Sequence, residues 1–351
     1  QQSNLLIAYQ QFRANSRLIP EVIDELNRIW KEGGKPDLVI ADFVASPAGL
    51  ISDRFGIPWI TTIPSPVAIE CRTTTPTYLG GWKPHQGVLY KFRDALGRQV
   101  IRCGKKMAFA LVRKSLGDYQ DFKLYREDGT EAIYSPFSIL ALGMKELEFR
   151  DDFPKHLRWL GYKCLSFDRL PAAHESYFET DKKRVLVTCG THLKWEKERM
   201  VERAKKLSQL YPDYLFYVTL GEASGLGNVP KRLAENLLLF DYLPYTDILD
   251  KIDFAIHHAG TGIMMACIEQ EIPSLILPQD YDQFDNAVRA ELAQVGLVAR
   301  RKTDTEVLRL FKELTDRTDW SQLKTLAQQS KEYQPTEILY QELGRLLKVD
   351  L

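Results

Sequence analysis

The sequence predicts an α/β protein of two doubly wound domains, and three observations carry that prediction. Short apolar runs of strand length alternate with amphipathic helical stretches along most of the chain. The rhythm breaks in a proline-rich stretch and again in the segment 161–183, then restarts at Arg184. At 351 residues, 44% of them hydrophobic, the chain is long enough to build two ordinary cores. The expected organisation is therefore a first domain over 1–160, a connection over 161–183, a second domain over 184–333 and a terminal helical segment over 334–351.

In the first half, Leu18 to Trp30 has helical spacing and Gly33-Gly34 stops it before a strand from Asp37 to Ala41. Ala45 to Phe55 reads as a second helix and Ile57 to Thr61 as the next strand. Pro64, Pro66, Pro76 and Pro84 mark a variable loop region, and helices are expected to resume between Gly87 and Leu116. Ile139 to Leu142 reads as the last strand of this half. The second half starts with a strand from Arg184 to Thr188, then a helix around Glu196 to Gln209 and strands at Leu215 to Thr219 and Leu237 to Phe240. Ile252 to Ile256, Ser274 to Leu277 and Gly296 to Val298 complete the expected sheet. Helices at Asp304 to Leu314, Trp320 to Lys331 and Thr336 to Leu347 close the chain.

Lys plus Arg equals Asp plus Glu at 47 each, so the formal charge of zero makes no global case for nucleic acid. Cys71, Cys103, Cys164, Cys189 and Cys267 are odd in number and never in C-x-x-C spacing, which suits a reducing, cytoplasmic setting and gives no zinc motif. No apolar run approaches the roughly 20 residues of a membrane span, and no signal peptide is recognisable. From Trp82 to Lys114 the chain carries Lys83, Lys91, Arg93, Arg98, Arg102, Lys105, Lys106, Arg113 and Lys114 against Asp94 alone. This leaves peripheral contact with anionic lipid or a partner open, but the plainer reading is a helix with its charged face in water and its apolar residues inward. Oligomeric state is left open.

The stretch His257 to Asn286, HHAGTGIMMACIEQEIPSLILPQDYDQFDN, carries the chemistry. An apolar strand runs into a Gly260/Gly262 turn and a helix start, where free N–H groups point at an anion, and a diphosphate suits that position. Thr261 lies in the same turn, and His257 at the strand end is placed to donate to a phosphate oxygen. Asp282, Gln283 and Asn286 follow the next strand, where open parallel sheets bind ligands, and carboxylate plus amide suits sugar hydroxyls. The plainer alternative is a set of turn glycines and strand-end polar residues belonging to any doubly wound domain. VLVTCGTH puts Gly190 and Thr191 directly after a strand, for phosphate approach or a simple helix cap. Asp42, at the end of PDLVIAD, is either a cleft carboxylate or a cap for the next helix.

This signature resembles that of the inverting family 1 glycosyltransferases of bacterial macrolide and natural-product type, which read roughly HHGGxGT, GxP, P and DQxxNA. The resemblance is dense over the second half and discontinuous over the first, through PDLVIADF, FGIPW, Pro136-Phe137, Ala141 to Gly143 and WLGY at 159–162. It implies the GT-B fold, two Rossmann-like domains facing across a cleft, with an acceptor-binding first domain, a nucleotide-sugar-binding second domain and a terminal helix returning to the first. The implied donor is a UDP-sugar or dTDP-sugar, used as substrate, with no cofactor and no metal. The implied acceptor is a small lipophilic molecule bearing a hydroxyl. Departures are Ala259 for the usual glycine, Ile263 for a frequent hydroxyl residue, and Met264, Met265 and Ala266 where many members have a ribose-binding Glu.

Through the resemblance, Phe240 to Leu249 corresponds to the loop that receives the nucleobase, here with Tyr242 and Leu243, whose plainer role is packing. Asp42 corresponds to the acid that orients the catalytic histidine. That histidine lies in relatives after the very first strand in a Gly-His-x-x-Pro setting, whereas residue 1 reads as entering the fold later. The base is thus expected outside these residues, since His85, His156, His174, His192, His257 and His258 do not occupy that loop. Tyr78, Trp82 and His85 are candidate walls of an acceptor pocket. A catalytically degenerate binding or activating partner is the alternative to an active transferase.

Overall fold

The computed structural model describes residues 5–113, 120–164, 168–191 and 193–349; Lys114, Leu116 and His192, named above, lie outside them. The chain divides into two compact units, one of residues 2–161 with 334–351 and one essentially of 162–333.

In the first unit, α1 (Leu5–Glu32) runs through Pro20 and is longer than the periodicity indicated at both ends. It is followed by β1 (Val39–Asp42), α2 (Ser46–Phe55) and β2 (Trp59–Ile63). The second strand starts two residues later than expected because Pro58 has no N–H to give a ladder, and its carbonyl instead accepts from Val39 at 3.1 Å. Next come α3 (Val88–Val112), β3 (Ser138–Ala141) and β4 (Leu157–Trp159). All four strands are parallel in the order β1-β2-β3-β4. The expectation that β3 ends this half is corrected: β4 pairs with it, and its three residues with Arg158 at the centre leave no apolar run to read. Ile23, Trp30, Leu50, Ile51 and Ile57 form the core under α1 and α2.

The orientation of α3 also corrects the sequence reading. Several of its basic residues turn inward: Arg102 pairs with Glu70 at 3.1 Å, Lys105 with Glu131 at 2.5 Å, and Arg98 donates to the carbonyls of Thr73 and Thr74. Asp94 is buried, accepting from Thr75 at 2.7 Å and pairing with Arg93. Its apolar residues face out. Helical periodicity distinguishes two faces but not which one is covered; here the proline-rich loop supplies carbonyls and carboxylates that pair with the cationic face.

The second unit opens with the one-turn α4 (Ala172–Glu175) and β5 (Lys183–Thr188). It continues through α5 (Lys197–Leu210), β6 (Tyr214–Thr219), β7 (Lys231–Ala234), β8 (Leu237–Phe240) and the short α6 (Tyr245–Ile248). Then follow β9 (Phe254–His257), α7 (Thr261–Glu269), β10 (Ser274–Ile276), α8 (Gln283–Leu292), β11 (Gly296–Val298), α9 (Asp304–Asp316) and α10 (Ser321–Glu332). The sheet order is β11-β10-β9-β5-β6-β8-β7, parallel except for the edge strand β7, whose KRLA sequence gives no strand signal. Phe178, Tyr217 and Phe240 lie in its aromatic core, the first two rings stacked at 4.6 Å. The sheet grows from β5 through β6 to β8, then resumes on the other side of β5 with β9. The β5/β9 boundary is a topological switch point, where the following loops diverge and leave a crevice.

The last helix, α11 (Pro335–Leu347), belongs to the first unit. Ile338, Leu339, Leu343 and Leu346 pack on Ile60, Leu140 and Leu160, covering the sheet face opposite α1 and α2. Glu342 accepts from Arg158 at 3.1 Å, and Arg345 donates to the Phe137 carbonyl.

Candidate functional site

Three loops meet at the carboxyl ends of β5, β6 and β9. Gly190, after β5, has φ +69°, and a Cβ there would stand 2.8 Å from Cε1 of His258. A Cβ on Gly260 would stand 2.5 Å from Nε2 of the same ring, and one on Gly221, after β6, would meet the Gly190 carbonyl at 2.9 Å. The half-buried His258 imidazole is therefore held between two glycine backbones that only residues without side chains permit. Gly260 caps α7 with no side-chain hydrogen bond, so the first-turn N–H groups of this nine-residue helix remain presented to a ligand. Thr261 is half-buried and Gly262 exposed in that turn. Gly190 N–H donates to the Thr188 hydroxyl at 3.1 Å, and that hydroxyl also pairs with Tyr245 at 3.0 Å, fixing the loop entry. Thr191 follows, its Cγ2 beside Gly221.

His257 is the more deeply buried of the two rings. Its ring is 2% exposed and lines a cavity of about 30 Å³ with Glu196, Arg203, Leu277 and Gln279. Nδ1 accepts from Ala259 N–H at 3.1 Å, which places the proton on Nε2. Burial, with a smaller contribution from neighbouring His258, pushes its pKa down to about 3, so the ring is neutral at ordinary pH. Of the two adjacent rings, His257 is buried and His258 half-buried against the start of α7, a position to which sequence reasoning gave no ligand role. The doubled histidine after an apolar strand was the available signal, since successive strand-end side chains alternate in direction.

Ala259, the departure from glycine, is fully buried with φ +67°. Its carbonyl accepts from Asn286 Nδ2 at 3.1 Å, and the same amide reaches Asp282 at 3.2 Å and the Thr261 hydroxyl at 3.4 Å. Gln283 Oε1 accepts from the N–H groups of Gln279 and Asp280 at 2.9 and 3.1 Å. Asn286 and the amide oxygen of Gln283 therefore brace the loops, and the half-buried Asp282 stands at the N-terminal end of α8. Ile263, the other departure, packs into the core beneath α7. On the loop after β8, Leu243 is a core residue at 2% exposure and Tyr242 is half-buried.

In the other unit, Asp42 closes β1 in register with Thr62, and its Oδ1 accepts from Val44 N–H at 3.1 Å, capping the turn that follows. Trp82 packs against Gly97 of α3 and under the Arg93 guanidinium, 4.7 Å from its ring. His85 stacks on Tyr90 at 4.5 Å, and Tyr78 is partly exposed with φ +62°. Among the described residues no cluster of His, Cys, Asp and Glu is arranged to hold a metal ion.

A pair of α/β units, with an anion-ready helix start at the switch point of the second, defines a GT-B-type nucleotide-binding architecture. Residues 213–343 match the model of the erythromycin biosynthesis protein CIII-like C-terminal domain. The chain has the GT-B fold of the natural-product glycosyltransferases. The crystal structure of the glycotransferase of kitacinnamycin superposes with a TM-score of 0.69 at 19% identity, covering 96% of this chain and 82% of that one. A spinosyn rhamnosyltransferase complexed with thymidine diphosphate superposes at 0.65 with 16% identity, covering 95% and 80%. By sequence, the chain is 24% identical to oleandomycin glycosyltransferase of Streptomyces antibioticus over 281 residues, covering 77% of this chain and 57% of that protein. It is 23% identical to 4'-demethylrebeccamycin synthase of Lentzea aerocolonigenes over 292 residues, covering 80% and 66%. The chain thus spans less than two thirds of each of these two relatives.

Proposed function

We propose that this chain transfers a sugar, with inversion, from a UDP-sugar or dTDP-sugar to a hydroxyl of a small lipophilic acceptor. The observation that carries this reading is His258, held between Gly190 and Gly260 at the open start of α7. A diphosphate there receives helix N–H groups and an imidazole N–H, which offset the negative charge that grows as the sugar–phosphate bond breaks. The attacking oxygen loses its proton to a base, forms the new C–O bond on the opposite face and releases the nucleoside diphosphate with the bonding electrons. An α-linked donor then gives a β-glycoside.

In this reading the 184–333 domain binds the donor, with Tyr242 and Leu243 at the base and Asp282 at the sugar, while Gln283, Asn286 and His257 support the loops. The 1–160 domain binds the acceptor, with Tyr78, Trp82 and His85 as wall residues, and Asp42 orients a catalytic histidine and raises its basicity. The likeness to a rhamnosyltransferase bound to thymidine diphosphate and to two antibiotic-modifying relatives supports this class. Work in the cytoplasm, on metal-independent chemistry, completes the proposal; all five cysteines are free thiols. A second reading, a binding partner without turnover, is favoured only by the departures at Ala259 and Ile263.

Calorimetric titration with UDP and dTDP, followed by product analysis of the verified full-length protein with UDP- and dTDP-sugars and a panel of apolar alcohols, tests both. Nucleotide binding with an inverted glycoside supports the transferase. Binding without product under every pairing supports the second reading, and no binding of either nucleotide overturns both.

A further inference from the structure

The outer face of α3 is apolar along its whole length. Leu89, Phe92, Leu96, Val100, Met107 and Leu111 are 53% to 82% exposed. With exposed Cys103 they form a stripe spaced 3, 4, 4, 3, 4, 4, about 33 Å long at the helical rise. Isolated exposed apolar side chains are ordinary, but a continuous stripe of this length marks a contact surface.

Charge identifies what that surface fits. Between 88 and 113 the only carboxylate is Asp94, which is buried and paired with Arg93 on the inner side. Glu70 and Glu131, the carboxylates nearest the helix cations, lie on that same inner side under Arg102 and Lys105. Lys106 and Arg113 are exposed and lie along one edge of the stripe. A helix with an apolar face and a cationic edge free of exposed carboxylate suits a bilayer interface with anionic headgroups. Pairing with a second copy fits less well. An 11-residue repeat excludes a left-handed coiled coil, and in any paired arrangement two such helices would oppose cation to cation with no exposed acid between them.

We propose that α3 docks this protein on an anionic membrane surface, with Phe92 and its apolar neighbours entering the headgroup boundary and Lys106 and Arg113 meeting phosphates. The surface is separate from the nucleotide site and the inference does not rest on the transferase reading, because its assay contains no sugar nucleotide.

The test is co-sedimentation of the whole chain with vesicles of phosphatidylglycerol and phosphatidylcholine, compared with phosphatidylcholine alone. Binding to the anionic vesicles is expected to be at least about tenfold stronger and to fall as salt is raised. Phe92→Glu with Leu96→Glu should lower partition by about tenfold or more, with the thermal midpoint and nucleotide affinity unchanged since both side chains are exposed. Lys106→Gln with Arg113→Gln is the second variant, which leaves the apolar stripe intact and should lower partition by about tenfold through lost headgroup attraction. A chain that stays in solution with anionic vesicles, or one whose binding ignores both variants, overturns the proposal. So does a concentration-dependent dimer that Phe92→Glu dissociates, because the face then belongs to a second copy.

Discussion

The side-chain amide of Asn286 holds the carbonyl of Ala259 at 3.1 Å, and through it the left-handed backbone at φ +67° on which the loop before α7 turns. An alanine in that conformation is strained by about 1–2 kcal/mol relative to glycine. Ala259→Gly relieves that strain but removes a buried methyl worth about 0.8 kcal/mol and adds freedom to the unfolded chain worth about 0.4–1 kcal/mol. The terms nearly cancel, so urea denaturation should find the variant within about 1 kcal/mol of the parent. Ala259→Val, β-branched and larger in a buried left-handed site, should cost about 3 kcal/mol or more. A valine variant as stable as the parent would show that the loop does not hold this conformation.

Removing the amide tests the brace itself. Asn286→Ala strands the buried Ala259 carbonyl and releases Asp282, at about 1–3 kcal/mol of stability. Nucleotide affinity should fall with it, by about tenfold, because the helix start loses its anchor. Unchanged calorimetric affinity in a variant of lowered stability would separate the brace from the binding site.

Those loops show where sequence reading succeeds and where it stops. The strand-helix alternation and the glycines at 190 and 260 were legible because each reflects a local constraint, a backbone path that a side chain would block. The assignment between His257 and His258 was not, since adjacent strand-end side chains point oppositely and only the packed sheet decides which one is buried. The same holds for α3, where periodicity separates two faces but the segments carrying Glu70, before the helix, and Glu131, after it, determine which is covered. β4 and β7 were missed because edge strands of three or four residues with arginine in them carry no apolar run.

The two histidines should separate by measurement. His258→Ala is expected to weaken UDP or dTDP binding, lower turnover, or both, by about tenfold or more, with stability little changed. Gly260→Ala should do the same by driving a methyl into the ring at 2.5 Å, and the His258→Ala background should absorb most of that effect. His257→Ala should instead cost about 2–4 kcal/mol of stability, through a lost acceptor and a new cavity, with little direct effect on the nucleotide. If His257→Ala weakens binding at full stability, the roles given to the two rings are reversed.

His257 also sets a pH window. Its pKa lies near 6.5 when unfolded and about 3 when folded, so below the first value the unfolded chain takes up a proton that the native chain refuses. Its contribution to stability is fully present above about 6.5 and is lost as the pH falls toward 3, at up to about 1.4 kcal/mol per pH unit. His156, held below its usual value mainly by burial, acts in the same direction, and Asp152, held to about 2, adds its part only at lower pH. Denaturation midpoints between pH 7 and 4.5 should therefore fall more steeply for the parent than for His257→Gln. Parallel slopes would mean that His257 takes up its proton over the same pH range folded and unfolded.

Asp42 decides whether the first domain takes part in proton transfer. Its Oδ1 caps the turn at Val44, a role that asparagine keeps through its amide oxygen, so Asp42→Asn should leave folding and nucleotide affinity intact. The lost negative charge would no longer raise the basicity of a neighbouring histidine, and turnover at saturating substrates should drop about 10²-fold. The acidic limb of the kcat profile should move to lower pH, since a histidine without that carboxylate holds its proton less tightly. Measuring kcat against pH for parent and variant separates this from loss of the cap, which would lower stability without moving the limb. An unchanged kcat and an unchanged limb would leave Asp42 as a structural cap and remove it from the reaction.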